Sequence, residues 1–387
     1  MKKLMMGTEA AAAAAVLARV QVVSAYPITP QTVIVETLAE VIGRGELEAR
    51  YLNVESEHSA MASCIGASAA GARVFTATSS QGLALMHEML HYAAGARTPV
   101  VMANANRALT PPWNLYCDHT DSLAQRDTGW LQYYCQDAQD VLDAVLIAYK
   151  VAESVLLPVM VNLDAFYLTH TTEAVEVPDQ SEVDAFLPPY APIYKLDVDN
   201  PRTFGNVCGA DLYTPIKYRR QKETLQAAGA WQEAAEDFAI RFGRKRPALE
   251  SYHLEDADIA LVVMGTAFGA VRLAVDSLRE NGVKAGALRV ALFRPFPCED
   301  ICKALAGLKR VLVLDRDISL GAEGVLAQEI KAALYQNRAR AKVDGLIIGI
   351  GGRDITPEKV AELTRQALKG RIRADSAGRS LWVEVMQ

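Results

Sequence analysis

Several signatures are missing from this chain, and each absence closes off a class of function. No C-x-x-C pair occurs among its six cysteines, Cys64, Cys117, Cys135, Cys208, Cys298 and Cys302, and the nearest two are four residues apart in a helical stretch. That spacing suits neither a zinc ribbon nor an iron–sulfur run. The thiols read as reduced and mostly packed, which sets a cytoplasmic expectation and leaves the chain without a visible electron carrier. No apolar run reaches bilayer length, so no membrane partner is expected. No basic stripe stands out against a net charge of −6, and the one concentrated run, Arg241 to Arg246, is short; nucleic acid is not an expected partner either. No G-x-G-x-x-G follows a strand, which disfavours a nicotinamide-binding domain, and Gly265-x-x-x-Gly269 is a weak phosphate-loop likeness. Walker loops, Gly-x-Ser-x-Gly elbows and acidic calcium loops do not occur.

The N-terminus could mimic a leader, since Lys2-Lys3 precede an alanine tract. Glu9 interrupts the apolar region, however, and Thr8 suits the cap of a helix over Glu9 to Leu17 with the acid at its positive end. No signal peptide is expected.

What is present is a chain of 387 residues, half of them hydrophobic, long enough for two domains. Strand, small polar turn and helix alternate at βαβ spacing, implying a doubly wound parallel sheet. Its organising stretch is Ser24-Ala25-Tyr26-Pro27-Ile28-Thr29-Pro30-Gln31. A β-rich run from Val20 feeds this elbow and a helical pattern through Val33, Leu38 and Val41 leaves it, with Pro30 placed to open the helix. Further strands end at Glu55-Ser56-Glu57-His58, at Ser79-Ser80-Gln81-Gly82 and at Asn106-Arg107. The stretch from Ala108 to Gly129 breaks the rhythm as a long loop. Residues 178–215 form a proline-rich excursion, a helix from about Lys222 to Phe242 follows, and Arg244-Lys245-Arg246-Pro247 looks like a hinge. A second α/β unit then runs on, giving domains of 1–246 and 247–387.

In such a sheet Thr29, Glu57, the Ser80-Gln81 turn and Arg107 converge on one crevice at the strands' carboxyl ends. An arginine fork beside a hydroxyl seats a small carboxylate well. Two readings stay open here: in one, Thr29 belongs to a merely rigid loop, Glu55 and Glu57 to helix caps and Arg107 to a surface ion pair; in the other, all serve a ligand. Asp118, His119, Asp121, Arg126 and Asp127 match no ordinary metal-ligand set and suggest a salt-bridged loop, and His87 and His91 suggest packing. No metal site is assigned to this chain.

Tyr26-Pro27-Ile28-Thr29-Pro30, Ser56-Glu57, Ser79-Ser80-Gln81-Gly82, Asn106-Arg107-Ala108-Leu109 and Asp118-His119-x-Asp121 resemble, in order and spacing, the α subunit of 2-oxoacid:ferredoxin oxidoreductases. Arg294-Pro295-Phe296-Pro297 and Gly352-Arg353-Asp354-Ile355-Thr356-Pro357 extend the likeness, which is greatest to the pyruvate enzymes. The resemblance implies a thiamine-diphosphate pyrimidine-binding domain followed by a smaller transketolase C-terminal-like domain. It implies that Glu57 is catalytic, hydrogen-bonding the aminopyrimidine ring, with Pro27, Ile28 and Gln81 also lining the cofactor. Thr29 and Arg107 are implied to hold the 2-oxo acid, whose acyl group passes to coenzyme A. The Gly-Asp-Gly diphosphate motif and cluster cysteines are missing, so Mg²⁺ and 4Fe–4S clusters are expected in partner chains. Those partners are a β subunit gripping the diphosphate, γ and ferredoxin-like δ subunits, and external ferredoxin. Alternatives are a branched-chain or aromatic 2-oxo acid as substrate, or a non-catalytic scaffold that keeps only the fold.

Overall fold

The computed structural model describes residues 1–339, 341–372 and 378–385. Two largely parallel sheets carry the chain. The first has seven strands in the order Leu292–Arg294, Leu131–Tyr134, Val159–Asp164, Val101–Asn106, Val74–Thr78, Val22–Ala25 and Arg50–Asn53. Every pairing in it is parallel except that of Leu292–Arg294 with Leu131–Tyr134. The central strands are buried at every position, as a sheet covered on both faces requires. The direction of winding reverses between Val22–Ala25 and Val74–Thr78, so the mouth between them is the switch point where open α/β sheets bind ligands.

The covering helices explain the composition. Asp137 caps the helix Ala138–Val155, its side chain accepting from the Asp140 amide at 2.7 Å. Against that helix packs Gly7–Leu17, whose Ala10, Ala11, Ala14 and Ala15 have no exposed surface; small side chains let the two backbones come close. The helix starts at Gly7, not Glu9, because the Glu9 carboxylate turns back to accept from the Met6 amide at 2.7 Å. The long helix Ala210–Phe242 begins well before Lys222 and is anchored by its C-terminal half, where Trp231 stacks on Tyr133 at 4.6 Å.

The second sheet runs Leu381–Trp382, Lys342–Ile347, Arg310–Asp315, Ile259–Val263, Ala285–Val290 and Leu249–Tyr252, the last antiparallel. Here too the winding reverses, between Ile259–Val263 and Arg310–Asp315. Two long-range pairings were not expected from local pattern. Lys2–Met6 pairs with Thr172–Glu176, and Leu292–Arg294 leaves the second unit to edge the first sheet.

Arg244-Lys245-Arg246 is a strap and not a hinge. Arg244 makes a forked contact with Asp143 at 2.8 and 2.9 Å, and Arg246 Nε donates to the same carboxylate at 3.0 Å. Asp143 and, one turn earlier, Asp140 are fully buried, and unpaired buried carboxylates are costly. Arg289, also buried, reaches Asp140 and donates to the Tyr134 carbonyl at 2.8 Å, fixing the second sheet against the first.

Candidate active site

The elbow after Val22–Ala25 is closed by Gln31. Its amide donates to the Ile28 carbonyl at 2.9 Å and its side chain to the Tyr26 carbonyl at 2.8 Å. These contacts delay the helix to Thr32–Gly43, so Pro30 precedes it and does not open it. Pro27 and Thr29 are exposed and Ile28 is half-buried at the mouth of the switch point.

Glu57 occupies the first turn of the helix Glu57–Ala69, which Ser56 caps by accepting from the Ser59 amide at 3.2 Å. The helix N-terminus favours the anion. Glu57 is 7% exposed, and its carboxylate takes no hydrogen bond from any described residue. It lies against Gly82: a Cβ there would sit 2.6 Å from Glu57 Oε1 and 2.5 Å from Thr78 Oγ1. The glycine of Ser79-Ser80-Gln81-Gly82 thus leaves room for both the Thr78 hydroxyl and the Glu57 side chain that face it.

Arg107 follows Val101–Asn106 and is 3% exposed. Nη1 donates to the Thr29 carbonyl at 2.6 Å and Nη2 to Gln81 Oε1 at 3.0 Å, while Nε has no partner. Among the described residues it forms no ion pair. Burial lowers the guanidinium's pKa, and the nearby Asp121 charge opposes that. The structure thus joins Thr29, Gln81 and Arg107 by direct contacts and sets Glu57 against the Gly82 turn. The Thr29 link runs through its backbone carbonyl, leaving the hydroxyl uncommitted to the arginine.

The loop after Arg107 has a different role from the salt-bridged one expected. Asp121 accepts at Oδ2 from the amides of Ser80 (3.0 Å) and Arg107 (3.1 Å), and at Oδ1 from Asn106 Nδ2 (2.8 Å). Burial pushes its carboxyl up to about 6 against the lowering by these donors. His87 and His91 meet edge to face at 4.9 Å, as packing residues do. His119 pairs outside the loop, its Nε2 lying 2.8 Å from Asp164 Oδ1. Arg316 Nη1 donates to Asp164 Oδ2 at 2.7 Å, and the Thr266 amide to the same oxygen at 3.0 Å. Burial pushes the Asp164 carboxyl up, but the His119 and Arg316 charges outweigh it and hold the group below the usual carboxylate range. Burial likewise pushes the His119 ring down, and Asp164 more than reverses that, leaving its pKa well above the ordinary value. Cys117 joins His119 and Asp164 in a grouping that could geometrically hold a cation, but the Arg316 guanidinium already occupies its Asp164 face. This buried cluster fills the switch point of the second sheet, and no sequence spacing announced it, since its members come from four separate segments.

No helix of the described residues is long and apolar enough to cross a membrane. Residues 13–236 match the family described as "Pyruvate flavodoxin/ferredoxin oxidoreductase, thiamine diP-bdg". Residues 257–360 match "Pyruvate:ferredoxin oxidoreductase core domain II". The chain is 50% identical over 370 residues to the ketoisovalerate oxidoreductase subunit VorA of Pyrococcus horikoshii, covering 95% of this chain and 94% of that one. It is 47% identical over 366 residues to the pyruvate synthase subunit PorA of Methanothermobacter thermautotrophicus, covering 94% of each. A solved 2-oxoglutarate:ferredoxin oxidoreductase from Magnetococcus marinus, with 2-oxoglutarate, coenzyme A and succinyl-CoA bound, superposes with a TM-score of 0.70 at 22% identity. That match covers 96% of this chain and 65% of the other. A split-gene transketolase superposes at 0.58, and the fold is accordingly that of thiamine-diphosphate enzymes.

Proposed function

Since the chain belongs to the 2-oxoacid:ferredoxin oxidoreductases, as an α subunit of that enzyme, we propose that it supplies the pyrimidine side of a shared thiamine-diphosphate site and seats pyruvate there. The reaction is oxidative decarboxylation to acetyl-CoA and CO₂, run in either direction, with two electrons passing to ferredoxin. Residues 1–246 carry the cofactor-facing half and 247–387 the transketolase-like half.

The observation that carries this reading is Arg107, a buried guanidinium with an orphaned Nε and no described carboxylate paired to it. A buried charge left unpaired is expensive, and the carboxylate of a 2-oxo acid is the counter-ion that it lacks. Its forked donors suit that group, and Thr29, whose carbonyl touches the guanidinium, has a hydroxyl free of described hydrogen bonds for the oxo oxygen. Glu57 fits the cofactor's pyrimidine on independent grounds: its carboxylate is nearly buried, unpartnered and set against Gly82, so it can hold or exchange a proton at Oε1 with a ring nitrogen. Pro27, Ile28 and Gln81 wall the same mouth. Thiamine diphosphate, when bound, supplies the nucleophilic carbon and electron sink that decarboxylation needs. Glu57 orients and protonates, and Arg107 and Thr29 orient the substrate.

The remaining parts lie on other chains in this reading. A β subunit holds the diphosphate with Mg²⁺. The γ and ferredoxin-like δ subunits complete the assembly, with 4Fe–4S clusters in partner chains and coenzyme A as the acyl acceptor, all in the cytoplasm. The PorA relatives favour pyruvate, whereas the VorA relatives favour a second reading in which the substrate is a branched-chain 2-oxo acid. A substrate panel on the purified complex separates them: pyruvate turnover with the highest kcat/KM supports the first, and 2-oxoisovalerate dominance replaces it with the second. In the same complex Arg107→Ala is expected to raise the KM for the 2-oxo acid by about 30-fold through loss of a charge-assisted pair. An unchanged KM would remove Arg107 from the substrate seat.

A further inference from the structure

We propose that Asp121 is a positioning residue that sets affinity for the 2-oxo acid by holding Arg107 and Gln81 in register without touching substrate or cofactor. This rests on the reading of Arg107 as the carboxylate seat and adds the group that aims it.

Asp121 is 1% exposed and, among the described residues, has no cation within ion-pair distance. It is instead surrounded by donors. Oδ2 accepts from the Ser80 amide at 3.0 Å, the Arg107 amide at 3.1 Å and Asn104 Nδ2 at 3.4 Å. Oδ1 accepts from Asn106 Nδ2 at 2.8 Å and the Ser122 amide at 2.7 Å. One carboxylate therefore ties together the ends of two adjacent strands, Val74–Thr78 and Val101–Asn106.

The arrangement closes on itself. From Asp121 the contacts run through the Ser80 amide to Gln81, whose Oε1 accepts from Arg107 Nη2 at 3.0 Å, and back through the Arg107 amide to Asp121. Ser80 sits in the left-handed region at φ 48°, a conformation that crowds a residue with a Cβ and is kept only where the surroundings hold it. The Asp121 contact is one of the forces that keep it there, and with it the direction of Gln81. Since the guanidinium has only neutral acceptors at Thr29 and Gln81, its aim depends on where those acceptors and its own backbone are held. An amide cannot replace the carboxylate, because its NH₂ would face N–H donors and leave some of them buried and unpaired.

The test uses the assembled complex with its partner subunits and compares wild type, Asp121→Asn, Arg107→Ala and the double variant, reading KM and kcat separately. Asp121→Asn is expected to raise KM by about tenfold with kcat changed less than about twofold, since the group acts on binding geometry and not on the chemical step. In the Arg107→Ala background the same substitution is expected to add less than about twofold, the coupling of residues acting as a unit. If Asp121→Asn does not assemble, Asn106→Ala removes a single donor to Oδ1 and is expected to raise KM about threefold with the same dependence on Arg107. An unchanged KM, or effects that multiply independently of Arg107, overturns the positioning role. Should Arg107→Ala itself leave KM unchanged, the failure lies in the substrate-seat reading; a normal Arg107→Ala response beside a silent Asp121→Asn sinks the present inference alone.

Discussion

The mouths of the two sheets share a topology and differ in how their charges are settled. Each lies where the winding reverses, between Val22–Ala25 and Val74–Thr78 in the first and between Ile259–Val263 and Arg310–Asp315 in the second. In the second mouth Arg316, His119 and Thr266 all converge on Asp164. The neighbouring Asp315 caps the helix Val325–Gln336 by accepting from the Leu326 amide at 2.8 Å. In the first mouth Arg107 leans on neutral oxygens and Glu57 has no described hydrogen-bond partner. The first mouth, which the proposed function makes the binding site, is thus the one where the protein leaves charge uncompensated. Where its own side chains fill the gap, the same geometry serves as an interdomain clamp.

Substitutions should separate the two mouths by the property they damage. The largest effect belongs to Glu57→Gln, expected to lower kcat by about 10³-fold, within the range for a general acid–base, while the complex assembles and melts as wild type. Substantial residual turnover would take Glu57 out of its role. Gly82→Ala comes next. The added Cβ displaces the Glu57 carboxylate, and kcat is expected to fall about 100-fold because small misplacements cost that much; full activity would show that the close approach is unimportant.

In the clamp the damage reverses. Asp164→Asn leaves Arg316 and His119 buried without their counter-charge and is expected to cost about 3–5 kcal/mol of stability, measured by denaturant unfolding. A loss below about 1 kcal/mol would mean the two mouths are not so different. The smallest effect is in the pH profile of that difference. The Asp164 carboxyl, held below its ordinary value, contributes stability above about pH 4 that is lost on acidification. His119, raised well above its ordinary value, contributes below about pH 6.5 and loses that contribution as the pH climbs through its raised value. The gap in Tm between wild type and Asp164→Asn is therefore expected to be widest between about pH 4 and 6.5 and to narrow in acid. A constant gap would break the electrostatic account.

Much of the first mouth was legible before any coordinates because strand-end turns carry local signals. Proline pairs marked the elbow, and small polar turns marked Glu57 and Gln81. The same local logic governs Pro357–Leu368, where Thr356 caps and proline opens the helix. What local pattern could not supply was anything decided by residues far apart. The need for Gly82 to be glycine lies in Thr78 and Glu57, and the carboxylates that convert the basic run into a strap lie on Ala138–Val155. Asp121 sat in a loop with no period to read, so a cluster of charges suggested mutual pairing, whereas Asp121 answers to the ends of two strands and His119 to Asp164.

The strand Leu292–Arg294 has a consequence for how the chain is made. Until synthesis has passed Arg294, the edge at Leu131–Tyr134 stays bare, a row of open backbone groups on which another nascent chain could add a strand. The protein therefore finishes its first sheet with one of the later pieces to leave the ribosome, and that sheet is not complete until the strand that seals its edge has been made.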